Sequence, residues 1–380
     1  MTVVTAGGIL ALSAFLLAVA LCGLTRRVAP RVGLIDRPGG RKAHARPTPL
    51  GGGVAIWLTM ALVLGAGAMA IELGQSFLPP SLAEHIGGLR ERAGTMVVVF
   101  ALATVVMAMG LADDRFGLGW ALRLAVQVAL AAGLVLAGVR ITLFPPLSHS
   151  PALTAVLTVV WVVGLTNSFN FLDNMDGLAA GVGLIAAALF AGAQWAVGSL
   201  FVPAVLLVLV GALAGFLVHN ANPARLFMGD AGSNFLGFLL GALTVLGTFT
   251  REGYSRFAVL TPLLVMAVPL YDTASVLLIR VWEGRSPFQP DRCHFSHRLV
   301  ERGLTPRRAV WTIDLVTLAC GLGALLLHRP GTDAPMAAVV VGQTVCLLGV
   351  VAILEVSTSR PERRDAQARQ PPPPTTPTPT

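Results

Sequence analysis

Eleven apolar runs of 16 to 25 residues limit what this chain can fold into more than any other feature. They lie near 7–24, 50–71, 94–112, 120–138, 151–166, 178–197, 200–218, 232–249, 257–281, 309–327 and 336–355. A helix needs about 20 apolar residues to cross the hydrocarbon core of a bilayer. The expected fold is therefore an all-α polytopic membrane protein with about eleven transmembrane helices. Charged residues make up only 12% of the 380, where a soluble domain carries about a quarter. No charged block longer than a loop interrupts the runs, so 1–357 reads as a single transmembrane domain. Residues 358–380 end in PPPPTTPTPT, a composition that cannot build a core and is expected to form a disordered tail.

The loops carry an orientation. Residues 7–24 resemble a signal peptide in length, but the stretch before them holds no Lys or Arg; the charges follow, at Arg26 and Arg27. That pattern predicts a retained first helix with the N-terminus outside and the C-terminus cytoplasmic. On this layout the inside segments hold nineteen Lys and Arg and the outside segments six, as the positive-inside rule requires. The same bias accounts for the net charge of +8 through anionic lipid headgroups, without a nucleic acid partner. Four cysteines show no CxxC spacing, so neither disulfides nor a zinc site is expected.

Five polar segments, all on the expected cytoplasmic face, are too specific for plain loops. Residues 33–53 supply Lys42 and His44 beside a Pro/Gly-rich turn, where a Lys serves as a point charge on phosphate. In 110–127, Asp113 and Asp114 sit at the mouth of a span, at the unfavourable negative end of its dipole. Two acids there suggest a nearby cation or a raised pKa. Arg123 and Gln127 follow one helical turn apart. In 166–181, Asn167, Asn170, Asp173 and Asp176 recur every three residues, which in a helix makes a slowly winding stripe. Such a stripe entering a membrane is expensive without a ligand.

In 219–237, Asp230 stands among small residues just before an apolar run. It is either a plain N-cap or a ligand beside backbone amides suited to phosphate. In 285–308, His294 and His297 stand at i,i+3 among Arg285, Arg292 and Arg298. Histidines favour transition metals, but the arginines favour anions, so phosphate recognition fits this loop better than metal ligation. Asp272 lies within an apolar run, either as an intramembrane functional acid or as a hydrogen-bonded member of the bundle. Carboxylates for a divalent cation, basic groups for phosphates and a membrane-surface site together suit phosphoryl transfer with one greasy substrate.

From about Gly33 to Val310, the DD, NxxNxxDxxDG, FMGDxGS and HxxHRL elements resemble those of the polyprenyl-phosphate N-acetylhexosamine-1-phosphate transferases, in order and spacing. The family includes phospho-N-acetylmuramoyl-pentapeptide transferase as a relative. The resemblance implies that a UDP-sugar and a polyprenyl phosphate give polyprenyl-diphosphate-sugar and UMP. It implies Mg2+, with Mn2+ as an alternative, and a bacterial inner-membrane enzyme acting on the cytoplasmic face and able to form a homodimer. It assigns Asp230, with Asp173, to the metal on the UDP pyrophosphate, and Asp113 and Asp114 to the lipid phosphate. Asn167, Asn170, Asp173, Asp176 and Asn220 would surround the nucleotide, and Lys42, His44, Arg123, His294, His297 and Arg298 would contact phosphates or sugar. The loop His294-Phe295-Ser296-His297-Arg298-Leu299 lacks a run of three histidines and is more similar to enzymes using UDP-GlcNAc than to those using UDP-MurNAc-pentapeptide. Many relatives have Lys at the position of Arg123 and His at that of Ser296. A transporter or flippase is the competing class, but such proteins place polar groups near the bilayer midplane. One-step and covalent double-displacement chemistry are both open.

Overall fold

The computed structural model describes residues 3–37, 47–73, 86–141, 150–247, 249, 255–286, 294–329 and 331–356. Lys42, His44, Arg292 and the tail from 358 lie outside them.

The described residues form α1 (Val3–Val28), α2 (Gly52–Leu73), α3 (Ile86–Phe116), α4 (Trp120–Leu136), α5 (Pro151–Leu172), α6 (Leu178–Ala196), α7 (Phe201–Asn220) and α8 (Gly229–Leu246). There follow α9 (Thr261–Val265), α10 (Ala267–Trp282), the short α11 (Phe295–Glu301), α12 (Pro306–Leu325) and α13 (Ala334–Val356). Among the described residues, nine helices are long and apolar enough to cross a membrane, and a tenth span results if the bent pair meeting at Met266 is one. That pair, expected as one straight helix over 257–281, bends by 58°. The run at 120–138 becomes α4, whose 17 residues are at the short end of what spans a bilayer.

Helix α8 is the centre of the bundle, its residues buried from Ala231 to Thr244. It packs on α2, α3 and α5, while α1 lies along α7 and α12 lies against α6. Lipid tails give no hydrophobic drive to this packing, so close backbone approach matters. A Cβ on Gly110 of α3 would strike the backbone carbonyl of Asp230. Half-buried indole N–H groups find partners inside the bundle: Trp57 donates to Thr104 and Trp161 to Thr244, both at 2.9 Å.

Several helices run on past their apolar stretch. The run expected to end at 112 continues to Phe116, and the one expected to end at 166 continues to Leu172. The polar motifs are thus partly helical extensions, sustained by hydrogen bonds among themselves. The connections after α1, α3, α5, α7 and α10 meet at one end of the bundle. Ile35–Asp36 pairs with Thr48–Pro49 as a two-stranded ladder. Phe227 N–H donates to Pro49 O at 2.9 Å, Gly52 N–H to Phe227 O at 2.9 Å and Gly53 N–H to Met228 O at 3.0 Å. Residues 49–53 are therefore tied to the backbone just before Asp230.

Candidate active site

The start of α8 organises the site. Gly229 has φ 71, and a Cβ there would come within 2.6 Å of Asp114, so the Met-Gly-Asp turn requires glycine. Asp114, in the last turn of α3, accepts from Asp230 N–H at 2.8 Å and from Ala231 N–H at 3.1 Å. Its placement at the negative end of α3 is offset by the positive end of α8. Asp114 is the group that caps α8; Asp230 sits inside the first turn with no side-chain cap bond. The Ala231 amide, one of those expected to be open to phosphate, is engaged by the chain's own carboxylate.

Freed from capping, the Asp230 carboxylate turns to its neighbours. Its Oδ1 accepts from Asn170 Nδ2 at 2.7 Å, and its Oδ2 lies 3.2 Å from Arg123 Nη1. The same Nη1 pairs with Asp113 Oδ2, and Asp113 Oδ1 accepts from Leu118 N–H at 2.6 Å. Arg123 thus bridges a buried carboxylate and a partly open one, whose side chains are 6% and 35% exposed.

The expected four-residue stripe is broken, because α5 ends at Leu172 and the chain turns before α6. Asn167 donates to Gln127 Oε1 at 2.7 Å, and Gln127 donates to Asn234 Oδ1 at 3.0 Å, a chain of amides beneath the acids. Asp173 caps the end of α5. Loss of water, then the carboxylates of Asp230 and Asp114, hold its carboxyl well above the usual range, against a Gly229 N–H bond that favours ionisation. Asp176 faces the other way and accepts from Asn222 Nδ2 and Ala224 N–H, both at 3.0 Å. Asn220 is buried, with Oδ1 accepting from Gly177 N–H and Nδ2 donating to Leu226 O, both at 2.9 Å. Both of its polar atoms hold loops together.

His294 and His297 begin α11, with ring centroids 6.4 Å apart, and His294 also meets Phe171 at 5.6 Å. Asp272 resolves as a hydrogen-bonded bundle member, its Oδ2 lying 3.0 Å from His294 Nδ1. Arg298 donates to Ser275 at 2.9 Å, and Ser296 donates to Asn174 Oδ1 at 2.6 Å. Asn174, Asn234 and Ser275 are not singled out in the sequence motifs, and Ser233, the last residue of FMGDxGS, is given no role there. Asn234 had one signal, its position four residues after Asp230 on a helix.

Four carboxylates, Asp113, Asp114, Asp173 and Asp230, thus gather from three elements at the start of α8, and one arginine bridges two of them, Asp113 and Asp230. Among the described residues, no three His, Cys, Asp or Glu side chains form a ready-made metal cage. A hard divalent cation needs no such cage, since Mg2+ usually takes one or two carboxylates together with waters and substrate phosphates. The excess of negative charge fits such an ion.

Fold and site together define a polytopic membrane protein with an acidic, amide-lined site at one end of its helical bundle. Residues 96–248, which include all four gathered carboxylates, match glycosyl transferase family 4. The chain is 36% identical over 356 residues to the decaprenyl-phosphate N-acetylglucosaminephosphotransferase of Mycolicibacterium smegmatis, covering 86% of this chain and 84% of that protein. It is 30% identical over 309 residues to a probable undecaprenyl-phosphate N-acetylglucosaminyl 1-phosphate transferase of Bacillus subtilis, covering 80% of each. The undecaprenyl-phosphate alpha-N-acetylglucosaminyl 1-phosphate transferase of Escherichia coli K12 is 27% identical over 321 residues, covering 82% of this chain and 80% of that protein. The chain belongs to glycosyl transferase family 4.

Proposed function

We propose that this phospho-sugar transferase moves GlcNAc-1-phosphate from UDP-GlcNAc to a polyprenyl phosphate, releasing UMP and starting an envelope polysaccharide. The observation that carries the proposal is the gathering of Asp113, Asp114 and Asp173 about Asp230, with Arg123 bridging Asp113 and Asp230, within a match to relatives named for this reaction. The site opens on the cytoplasmic face of the bacterial inner membrane, in keeping with the Lys and Arg bias of its loops.

An oxygen of the lipid phosphate attacks the phosphorus that bears the sugar. The bond from that phosphorus to the oxygen bridging to the α-phosphate breaks, and UMP leaves with the electron pair. A phosphate monoester loses its second proton near pH 6, so the nucleophile is already ionised at neutral pH and needs no strong base. Asp113, held by Arg123 and Leu118 N–H, fixes the guanidinium rather than taking a proton. Arg123 offers its remaining N–H groups to phosphate oxygens. Asp230, with Asp173, would hold Mg2+ or Mn2+, which screens the two anionic substrates from each other and stabilises charge developing on the pyrophosphate. Asn170 orients Asp230, and Asp114 keeps the turn beneath it. His294, His297, Arg298, Lys42 and His44 serve phosphates and sugar around this centre.

The test is a substrate panel on protein purified in detergent, with undecaprenyl phosphate, Mg2+ and labelled UDP-sugars. Lipid labelling from UDP-GlcNAc and not from UDP-MurNAc-pentapeptide is expected. The reverse preference would keep the chemistry and reassign the sugar, and no lipid labelling from folded protein would contradict the proposal.

A further inference from the structure

Asp272 lies in α10 with 1% of its surface exposed. An acid within a membrane span is costly unless its oxygens are satisfied. Both are committed to the start of α11: Oδ2 lies 3.0 Å from His294 Nδ1, and Oδ1 accepts from Phe295 N–H at 2.7 Å. His294 is itself 6% exposed and packs on Phe171, two residues before Asp173 at the edge of the acidic cluster. Further contacts hold the same helix: Arg298 donates to Ser275 on α10, and Ser296 donates to Asn174 beyond α5.

A carboxylate beside Nδ1 selects the ring form with the proton on that nitrogen and leaves Nε2 for a ligand. It also favours the imidazolium when an anion reaches Nε2, because the ring then lies between two negative groups. We infer that Asp272 is a positioning residue that acts through His294, presenting Nε2 as a charged donor to a phosphate oxygen of a bound substrate. The inference rests on the proposed function only for the identity of that phosphate, which belongs to the nucleotide sugar or to the lipid.

The experiment uses the whole protein in nanodiscs with 15N-labelled histidine, and His294→Gln to assign the signals. Nδ1 of His294 is expected to be protonated before any ligand is added. Nε2 is expected to shift on addition of UDP or of undecaprenyl phosphate, tested separately, and the one that shifts it identifies the source. A bare Nδ1, or no shift with either, would overturn the inference, and this arm reads out even if the wild type transfers no sugar. In kinetics, Asp272→Asn should raise KM for that substrate about tenfold, the difference between a charged and a neutral hydrogen bond. The turnover number should change little, and Asp272→Glu should recover part of the loss. Added to His294→Gln, Asp272→Asn should cost nothing more; a further tenfold loss would mark Asp272 as a scaffold residue and refute its action through His294.

Discussion

Asp114→Asn separates a structural role from a chemical one. Asp114 accepts two N–H groups at the start of α8, each as an ionised acceptor at a helix N-terminus. Bonds of this kind contribute about 1.5–3 kcal/mol apiece. Asparagine keeps one as a neutral bond of about 1 kcal/mol and turns its own NH2 group toward the other amide, leaving that N–H unsatisfied. The net loss is about 2–5 kcal/mol, and it falls on the turn that presents Asp230. The assay is denaturant unfolding of the detergent-solubilised protein, followed by tryptophan fluorescence, beside transfer activity on the same preparation. Asp114→Asn should lower both stability and activity. A variant as stable as the wild type yet inactive would show that Asp114 acts on substrate, and would refute its assignment as the cap of α8.

Asp230→Asn should behave oppositely, losing transfer by at least about 100-fold, of the order seen when one electrostatic contact to a transition state is removed. Its unfolding midpoint should be equal to or above the wild type, because it relieves repulsion among four carboxylates. Arg123→Gln should tighten Mn2+ binding, read by electron paramagnetic resonance, since the guanidinium competes for Asp113 and Asp230. Weaker Mn2+ binding in that variant would argue against competition. Mg2+ should raise the unfolding free energy by about 2.7 kcal/mol at a hundred times its dissociation constant, and a chelator should reverse this. Asp173 titrates above its unfolded value of about 3.9, so the stability it contributes is present below that pH. The metal-free protein should therefore lose stability as pH rises from there through the raised value, and Asp173→Asn should flatten this slope.

The helices were legible in the sequence because a bilayer demands long apolar runs, and no other signal produces eleven of them. The convergence of five loops was legible too, since alternating spans return each polar motif to one side. What Asp114 does was not. Its partners are the amides of residues 116 and 117 positions later, and nothing local distinguishes a carboxylate that caps a distant helix from one that meets substrate. The three-residue spacing of Asn167, Asn170, Asp173 and Asp176 suggested one continuous face, but α5 ends at Leu172 and Asp176 turns to the Asn222–Ala224 loop. Asn220 likewise looked like a free amide beside the site, while its partners, Gly177 and Leu226, join two loops. Hydrophobic length carries the fold, whereas the tasks of individual polar groups depend on pairings that only the folded chain reveals.

In the proposed reaction the phosphate next to the sugar travels with it. UDP-GlcNAc labelled with 32P at the phosphorus bound to the sugar, mixed with undecaprenyl phosphate, Mg2+ and purified protein, tests this directly. The expected result is 32P in the organic phase together with unlabelled UMP in water. Labelled UDP remaining in water, with sugar alone on the lipid, would contradict it.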